Sequence, residues 1–360
     1  MDFGLSEEQQ LLADTLGRYL EEALSPARVR EIAASDEGVD GDAWRSIAEL
    51  GVAGILIPED HGGSGLALLD AVVAAEVLGY HCAPVPFLSA CMAAVALDRG
   101  GSAELKQIWL PRIARGDAAL GVAVGHRISR REEAGVRAEN EKISGKSLFA
   151  IDATVAAGFL VATDDGRLAL VTRDAPGLSV EPLTTIDPTQ RFAELRLEDV
   201  TVDGWLDGDG DLIDSMIDAG RVILAADILG ASQRALDLAV SYAAERKQFD
   251  RVIGSFQAVK HMCAEMAAEL EPARSLLWYA GHAFDSAPDE SPLVASHAKA
   301  HLSEIGRFVV RTATEVHGGI GFTEECDVQL FFKRVGVARS LLGSPEQVRE
   351  RAAVIQGWAA

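Results

Sequence analysis

Cysteine is scarce in this chain. Four residues (Cys82, Cys91, Cys263 and Cys326) occur in 360, with no C-x-x-C pair and no histidine at a metal-ligand interval from them. That excludes a disulfide-stapled scaffold and a zinc ribbon, and the thiols read as reduced packing groups. Positive charge is scarce too. Thirty-three Lys and Arg stand against 55 Asp and Glu, a net charge of −22, which excludes nucleic acid and anionic membrane as partners because both demand a basic face. No apolar run is long enough to cross a bilayer. The opening Met1-Asp-Phe-Gly-Leu-Ser-Glu-Glu is acidic and polar, unlike a secretory leader, so the default location is cytoplasmic. An anionic ligand would need local Arg, Lys or backbone N–H groups set against the global field.

What is present suits a large folded protein. The chain is 48% apolar, with mean hydropathy of +0.12, and can form one large domain or two to three smaller ones. Residues 1–119 read as helical, with Leu5, Leu11, Leu12, Leu16 and Leu20 at roughly helical spacing behind a Ser6-x-x-Gln9 capping box. Pro58-Glu-Asp-His-Gly-Gly-Ser-Gly65 reads as a tight connection before a new helix, not as a phosphate cradle, since no Lys accompanies its glycines. Residues 120–210 carry short β-prone runs (Ala119–Val124, Thr154–Ala162, Leu168–Thr172, Phe192–Leu197) cut by turn signals, and predict a small antiparallel β domain. Residues 211–360 return to long Ala- and Leu-rich periods over 212–245, 256–284 and 292–316, which predict a four-helix bundle, with Pro272 expected to kink its second helix. The fold class is mainly α with a small middle β domain.

Two segments carry chemistry. Arg246-Lys-Gln-Phe249 precedes Phe256-Gln257; the Arg fork can grip a diphosphate and the Gln amides a phosphate or heterocycle, although a solvated helix end gives the same pattern. Glu315-Val-His-Gly-Gly-Ile-Gly-Phe322 places three glycines within four positions, either for close backbone approach to something flat or anionic, or as a helix C-cap and turn. His297, His301 and Glu304 share a helical face, a spacing that could hold zinc; without an H-E-x-x-H motif they read as surface residues, and no metal site is expected.

These motifs, together with Met1-Asp-Phe-x-Leu-x-Glu-Glu-Gln9, Leu50–Gly65, Leu110–Gly116 and Gln329–Pro345, resemble the acyl-CoA dehydrogenase family along the whole chain. The likeness is greatest to the short subunits of its heterotetrameric steroid-side-chain branch. The resemblance implies FAD at a subunit interface, an acyl-CoA substrate, a homotetramer or an α2β2 assembly with a homologous partner, and an electron-transfer flavoprotein as acceptor. It assigns Arg246, Gln248, Phe249, Gln257, Glu315, Gly318 and Gly319 to the FAD of a neighbouring subunit, with Asp250 in place of a usual Gly and Glu315 in place of a usual Gln.

The same resemblance exposes losses. Val124-Gly-His-Arg-Ile-Ser-Arg-Arg131 stands where the family has its flavin-contacting Thr-Glu-Pro type segment, and Phe149-Ala150-Ile151 where it has an aromatic followed by a hydroxyl residue near the flavin N5. Isoleucine can neither donate nor accept a hydrogen bond. The family's glutamate base lies nine residues beyond the Arg of the penultimate helix, here Gly343 after Arg334, or immediately before an Arg of the first bundle helix, here Gly220 before Arg221. No catalytic residue is therefore assigned. Arg221 matches an active-site supporting Arg; Glu346 and Asp218, the nearest acids, read as solvated. The expected function is a dehydrogenase-type subunit that contributes half of an FAD site to a partner carrying the base. The alternatives are a non-redox acyl-CoA-binding or structural paralogue, and a homo-oligomeric flavoenzyme with a displaced base such as Glu346.

Overall fold

Helix α1 (Glu7–Ala23) starts where its capping signal stands: Ser6 Oγ accepts from the Gln9 N–H, and Gln9 Oε1 accepts from the Ser6 N–H. The computed structural model describes residues 4–129 and 134–359. Helices α2 (Pro26–Ala34), α3 (Gly41–Glu49), α4 (Leu68–Tyr80), α5 (Phe87–Gly100) and α6 (Ala103–Ala114) follow. The Pro58–Gly65 stretch is a tight connection, in which Ser64 N–H donates to Gly54 O and Gly65 N–H to Ile57 O.

Strands then replace helices: β1 (Leu120–Ala123), a single helical turn α7 (Gly125–Ile128), β2 (Gly135–Glu139), β3 (Lys142–Ile151), β4 (Gly158–Ala162), β5 (Leu168–Thr172), β6 (Leu178–Leu183), β7 (Phe192–Thr201) and β8 (Gly204–Leu206). They form one sheet in the order β6-β7-β3-β1-β4-β5-β8, with β2 paired to β3. The sheet is mixed, which corrects the expectation of a wholly antiparallel one: β1 and β4 run parallel, with Leu120 opposite Gly158 and Ala123 opposite Val161. A parallel neighbour needs a long connection, and the excursion through α7, β2 and β3 provides it. Val136, Ile143, Phe159, Val171, Leu195 and Leu197 make up much of the buried core there.

From Asp209 the chain is helical again: α8 (Asp209–Glu245), a hairpin of β9 (Lys247–Gln248) and β10 (Arg251–Val252), α9 (Gln257–Ser286), α10 (Ser291–His317), α11 (Val328–Ser340) and α12 (Pro345–Ile355). α9 continues through Pro272 as one helix. From Met216 to Ser232 every residue of α8 is buried, while its two ends carry exposed residues. No helix among the described residues is long and apolar enough to cross a membrane.

By proximity the residues form two units, each described by itself. One comprises 1–29, 72–83 and 224–360; the other comprises 30–71 and 84–223. In the first, Asp227 of α8 and Arg334 of α11 make a buried fork. Arg334 Nε lies 3.1 and 3.0 Å from the two carboxylate oxygens, Nη2 lies 2.6 Å from Oδ1, and Nη1 donates to Ala83 O at 3.2 Å. Such a pair is expensive to break from one side because the survivor stays buried and charged. Asp227→Ala is accordingly expected to cost about 3–5 kcal/mol in urea unfolding, whereas replacing both residues by apolar ones of similar volume costs much less.

Candidate functional site

Two helix ends in the first unit carry most of the residues singled out by sequence. α8 stops at Glu245, and the chain turns back through a two-residue hairpin whose central residues, Phe249 and Asp250, have φ of 53° and 61°. Both values are left-handed, as a primed turn requires. Asp tolerates this region and stands where glycine would be easiest, while a bulky Phe there is a conformational outlier. The Phe249 ring is 86% exposed, with its edge toward Phe256 at 6.2 Å, and the Arg251 guanidinium lies 3.9 Å over the Phe256 ring. Arg246 is exposed, and its guanidinium forms no hydrogen bond or ion pair among the described residues. Gln248 donates only to the Lys247 carbonyl at 2.9 Å, and Gln257, the first residue of α9, lies 3.4 Å from His261. Arg246, Lys247 and Arg251 bring three cations to one short stretch of a strongly acidic chain, with Glu245 and Asp250 beside them.

α10 ends at His317, and Gly318 leaves it with φ of 66°. A side chain there would be strained whatever space surrounds it. Gly319 is different: its φ is ordinary, and a Cβ added to it would meet nothing within 4 Å. Nothing in the fold of this chain requires glycine at 319, so the open surface beside it suits close approach by a group from outside. Glu315, Gly318 and Gly319 are exposed, as are Ile320 and Phe322 just beyond.

The two ends also touch. The Tyr242 ring, one turn before Arg246, stacks on the His317 ring with centroids 4.7 Å apart and planes 23° apart. His317 Nδ1 lies 2.7 Å from Ala313 O, so that nitrogen carries the proton. Sequence reasoning took His317 only as part of the glycine motif and overlooked Tyr242, although its place one turn before a candidate ligand was a readable signal.

Neither position of the family's base can act as one. Gly343 is buried with φ of 110°, and its carbonyl accepts from Lys299 Nζ at 3.2 Å. The same fully buried Nζ donates to Arg339 O at 3.0 Å and Ser303 Oγ at 3.1 Å, so all three ammonium donors are used. Position 343 is therefore a backbone fixture of the turn between α11 and α12. Gly220 lies inside α8, next to Arg221, whose Nη1 is 2.8 Å from Asp218 Oδ1. Both charged residues are buried, Asp218 at 2% exposed. This corrects the solvated role expected of Asp218: the acid sits in the stretch of α8 that is buried throughout and is held by its own i+3 arginine. Glu346 is exposed, as expected. It lies 3.3 Å from Arg339, which also pairs with Glu304 at 2.8 Å. Backbone hydrogen bonding at the start of α12 and the nearby arginine hold its carboxyl below the usual range, which weakens it as a base.

In the other unit, Phe149 has φ of 54° at a register shift between β3 and β7, and Ile151 is buried opposite Val122 of β1. That strand offers no hydroxyl at 151. The side chain of His126 on α7 is largely covered, and that burial lowers its pKa. Arg130 and Arg131 lie outside the described residues. His297 and His301 are exposed on α10, and among the described residues no group of three His, Cys, Asp or Glu could hold a metal.

Residues 6–117 match the acyl-CoA dehydrogenase N-terminal domain, and residues 208–354 match the acyl-CoA dehydrogenase C-terminal domain. Acyl-CoA dehydrogenase IpdE2 of Mycobacterium tuberculosis is 32% identical over 346 residues, 96% of each chain. The chain belongs to the acyl-CoA dehydrogenase family. Its members are oxidoreductases that bind FAD. Among solved structures, a variant of the Tcur3481–Tcur3483 steroid ACAD matches at 31% identity, with a TM-score of 0.89 over 98% of each chain. The ChsE4–ChsE5 complex of Mycobacterium tuberculosis matches at 28% identity, with a TM-score of 0.92 over the whole of both chains. The family resemblance and the fold expected from sequence are both borne out.

Gly343→Glu is a direct probe of the occupied turn. A glutamate forced to φ of 110° in a buried position is expected to lower the unfolding free energy by about 1–3 kcal/mol. An unchanged urea midpoint would show that the turn relaxes freely.

Proposed function

We propose that this chain is an acyl-CoA dehydrogenase-type subunit that works beside a homologous partner and lends it half of a shared FAD site. The observation that carries this reading is an asymmetry within one chain. Both base positions are glycines built into the fold, while the Arg246 guanidinium and Gly319 are exposed and the guanidinium has no partner among the described residues. In this arrangement Arg246 grips the FAD diphosphate, Gln248 and Gln257 offer amides, Phe249 presents its exposed ring, and the Glu315–Gly319 segment meets the adenine–diphosphate end. When bound, FAD would supply the acceptor for the hydride that leaves the β-carbon of the acyl-CoA. The partner supplies the glutamate that takes the α-proton, a step that needs a placed base. Arg221 supports the active-site region of its own subunit.

Two structural relatives are named as two-component proteins, one of them as a steroid enzyme, which supports an α2β2 assembly and a steroid-derived acyl group as the substrate class. An electron-transfer flavoprotein is the proposed acceptor, and the cytoplasm the proposed location. The consecutive domains 1–119, 120–210 and 211–360 belong to the same proposal. A displaced base at Glu346 is disfavoured, because that carboxylate is exposed and its lowered pKa makes it a weaker proton acceptor.

The test uses the chain co-expressed with a homologous subunit that carries the glutamate. Arg246→Ala is expected to weaken FAD retention by about ten- to a hundredfold, the value of a lost charge-assisted hydrogen bond. Gly319→Ala should weaken retention as well, yet leave the melting temperature of the flavin-free chain unchanged, since its Cβ meets nothing. Parental retention by both variants would refute the shared site.

A further inference from the structure

We propose that the Tyr242–His317 stack is a positioning device that holds the ends of α8 and α10 in register, so that Arg246 and Gly318–Gly319 reach one ligand together. The inference rests on the shared-FAD reading for the identity of that ligand, but the geometry stands by itself. The two lending segments are far apart in sequence, and each is seated on its own helix. On one side, the Arg246 N–H donates to the Tyr242 carbonyl at 2.9 Å and the Ile253 N–H to the Arg246 carbonyl at 2.8 Å. The turn after β10 passes so close that a Cβ at Gly254 would lie 2.9 Å from Ala243 O. The hairpin is thereby fixed to the last turn of α8.

The other side is built alike. The turn after α10 folds back until a Cβ at Gly321 would lie 2.5 Å from Thr314 O and 2.9 Å from the His317 Cβ. The Gln329 side-chain amide donates to the Gly321 carbonyl from α11. The glycine segment is thus fixed to the last turn of α10. What remains is the relation between the two helix ends, and Tyr242 and His317 supply it: a parallel stack at 4.7 Å between the residue whose carbonyl holds Arg246 and the residue that immediately precedes Gly318. The bond from Nδ1 to the Ala313 carbonyl fixes the imidazole plane, so the stack transmits orientation as well as contact. His317 is buried and Tyr242 half-buried, which keeps water from competing for the ring faces.

The experiment compares the parent chain with Tyr242→Leu, which removes the ring, and Tyr242→Phe, which keeps it. Should the leucine variant fail to fold, Tyr242→Met takes its place. Two quantities are read: FAD affinity of the assembled oligomer, and amide hydrogen exchange of the full chain over residues 247–252 and 317–322. The leucine variant is expected to bind FAD about five- to tenfold more weakly, as loss of one aromatic pair implies. It is also expected to exchange faster over 317–322, on the other helix, while α12 and the sheet keep parental protection. Tyr242→Phe restores both quantities. A merely structural role would spread the loss over the molecule or confine it to α8. Parental exchange over 317–322 in the leucine variant would overturn the proposal, as would parental FAD affinity. If the parent oligomer binds no FAD but the leucine variant still loosens 317–322, the cofactor reading fails and the positioning role stands.

Discussion

The buried fork between Asp227 and Arg334 is the constraint on which the arrangement of the C-terminal helices depends. It pins α11 to α8 and, through Arg334 Nη1, holds the carbonyl that follows α4. Once α11 is fixed, its C-terminal end is fixed, and there Lys299 of α10 gathers the Arg339 and Gly343 carbonyls. One buried guanidinium and one buried ammonium therefore set the turn at which the family resemblance places a base. Charges this deep are tolerated only when every donor is used, and here their partners include backbone carbonyls. The turn is consequently part of the scaffold.

This changes what the missing carboxylate means. A glutamate lost from an otherwise ready pocket could be restored by a single substitution. Position 343 instead has a left-handed φ, a buried environment and a committed carbonyl, so the chain is built around its absence. At the ends of α8 and α10 the opposite holds. Among the described residues, Arg246, Phe249 and Gly319 carry features that the fold does not use: an unpaired guanidinium, an exposed aromatic on a left-handed turn, and a glycine with empty space beside it. Features unused inside a chain are best explained by something outside it.

Much of this was legible in the sequence. The long Ala- and Leu-rich periods gave α8, α9 and α10 to within a few residues, and Ser6-x-x-Gln9 marked the start of α1, because helix periodicity and capping are local. Strands β2, β3, β6 and β8 and the β9–β10 hairpin were not anticipated. Lys142–Ile151 mixes charge, glycine and apolar residues, and its strand character comes from pairing with β2 and β7. The parallel β1–β4 pair was equally hidden, since register and direction are tertiary facts. Asp218 was misread because local sequence does not reveal that α8 is buried all round from Met216 to Ser232. The glycines at 220 and 343 were readable as absences, but the Lys299 bonds and the Tyr242–His317 stack, formed between distant helices, were not.

The central claim is that the chain lends a cofactor site and lacks a complete one of its own. Flavin content measured by absorbance, on the chain alone and co-assembled with a glutamate-bearing homologous subunit, tests it most directly. The account predicts no acyl-CoA dehydrogenation by the lone chain, and one flavin for each pair of unlike subunits in an active co-assembly. A lone chain that holds one flavin per subunit and turns over acyl-CoA would contradict it.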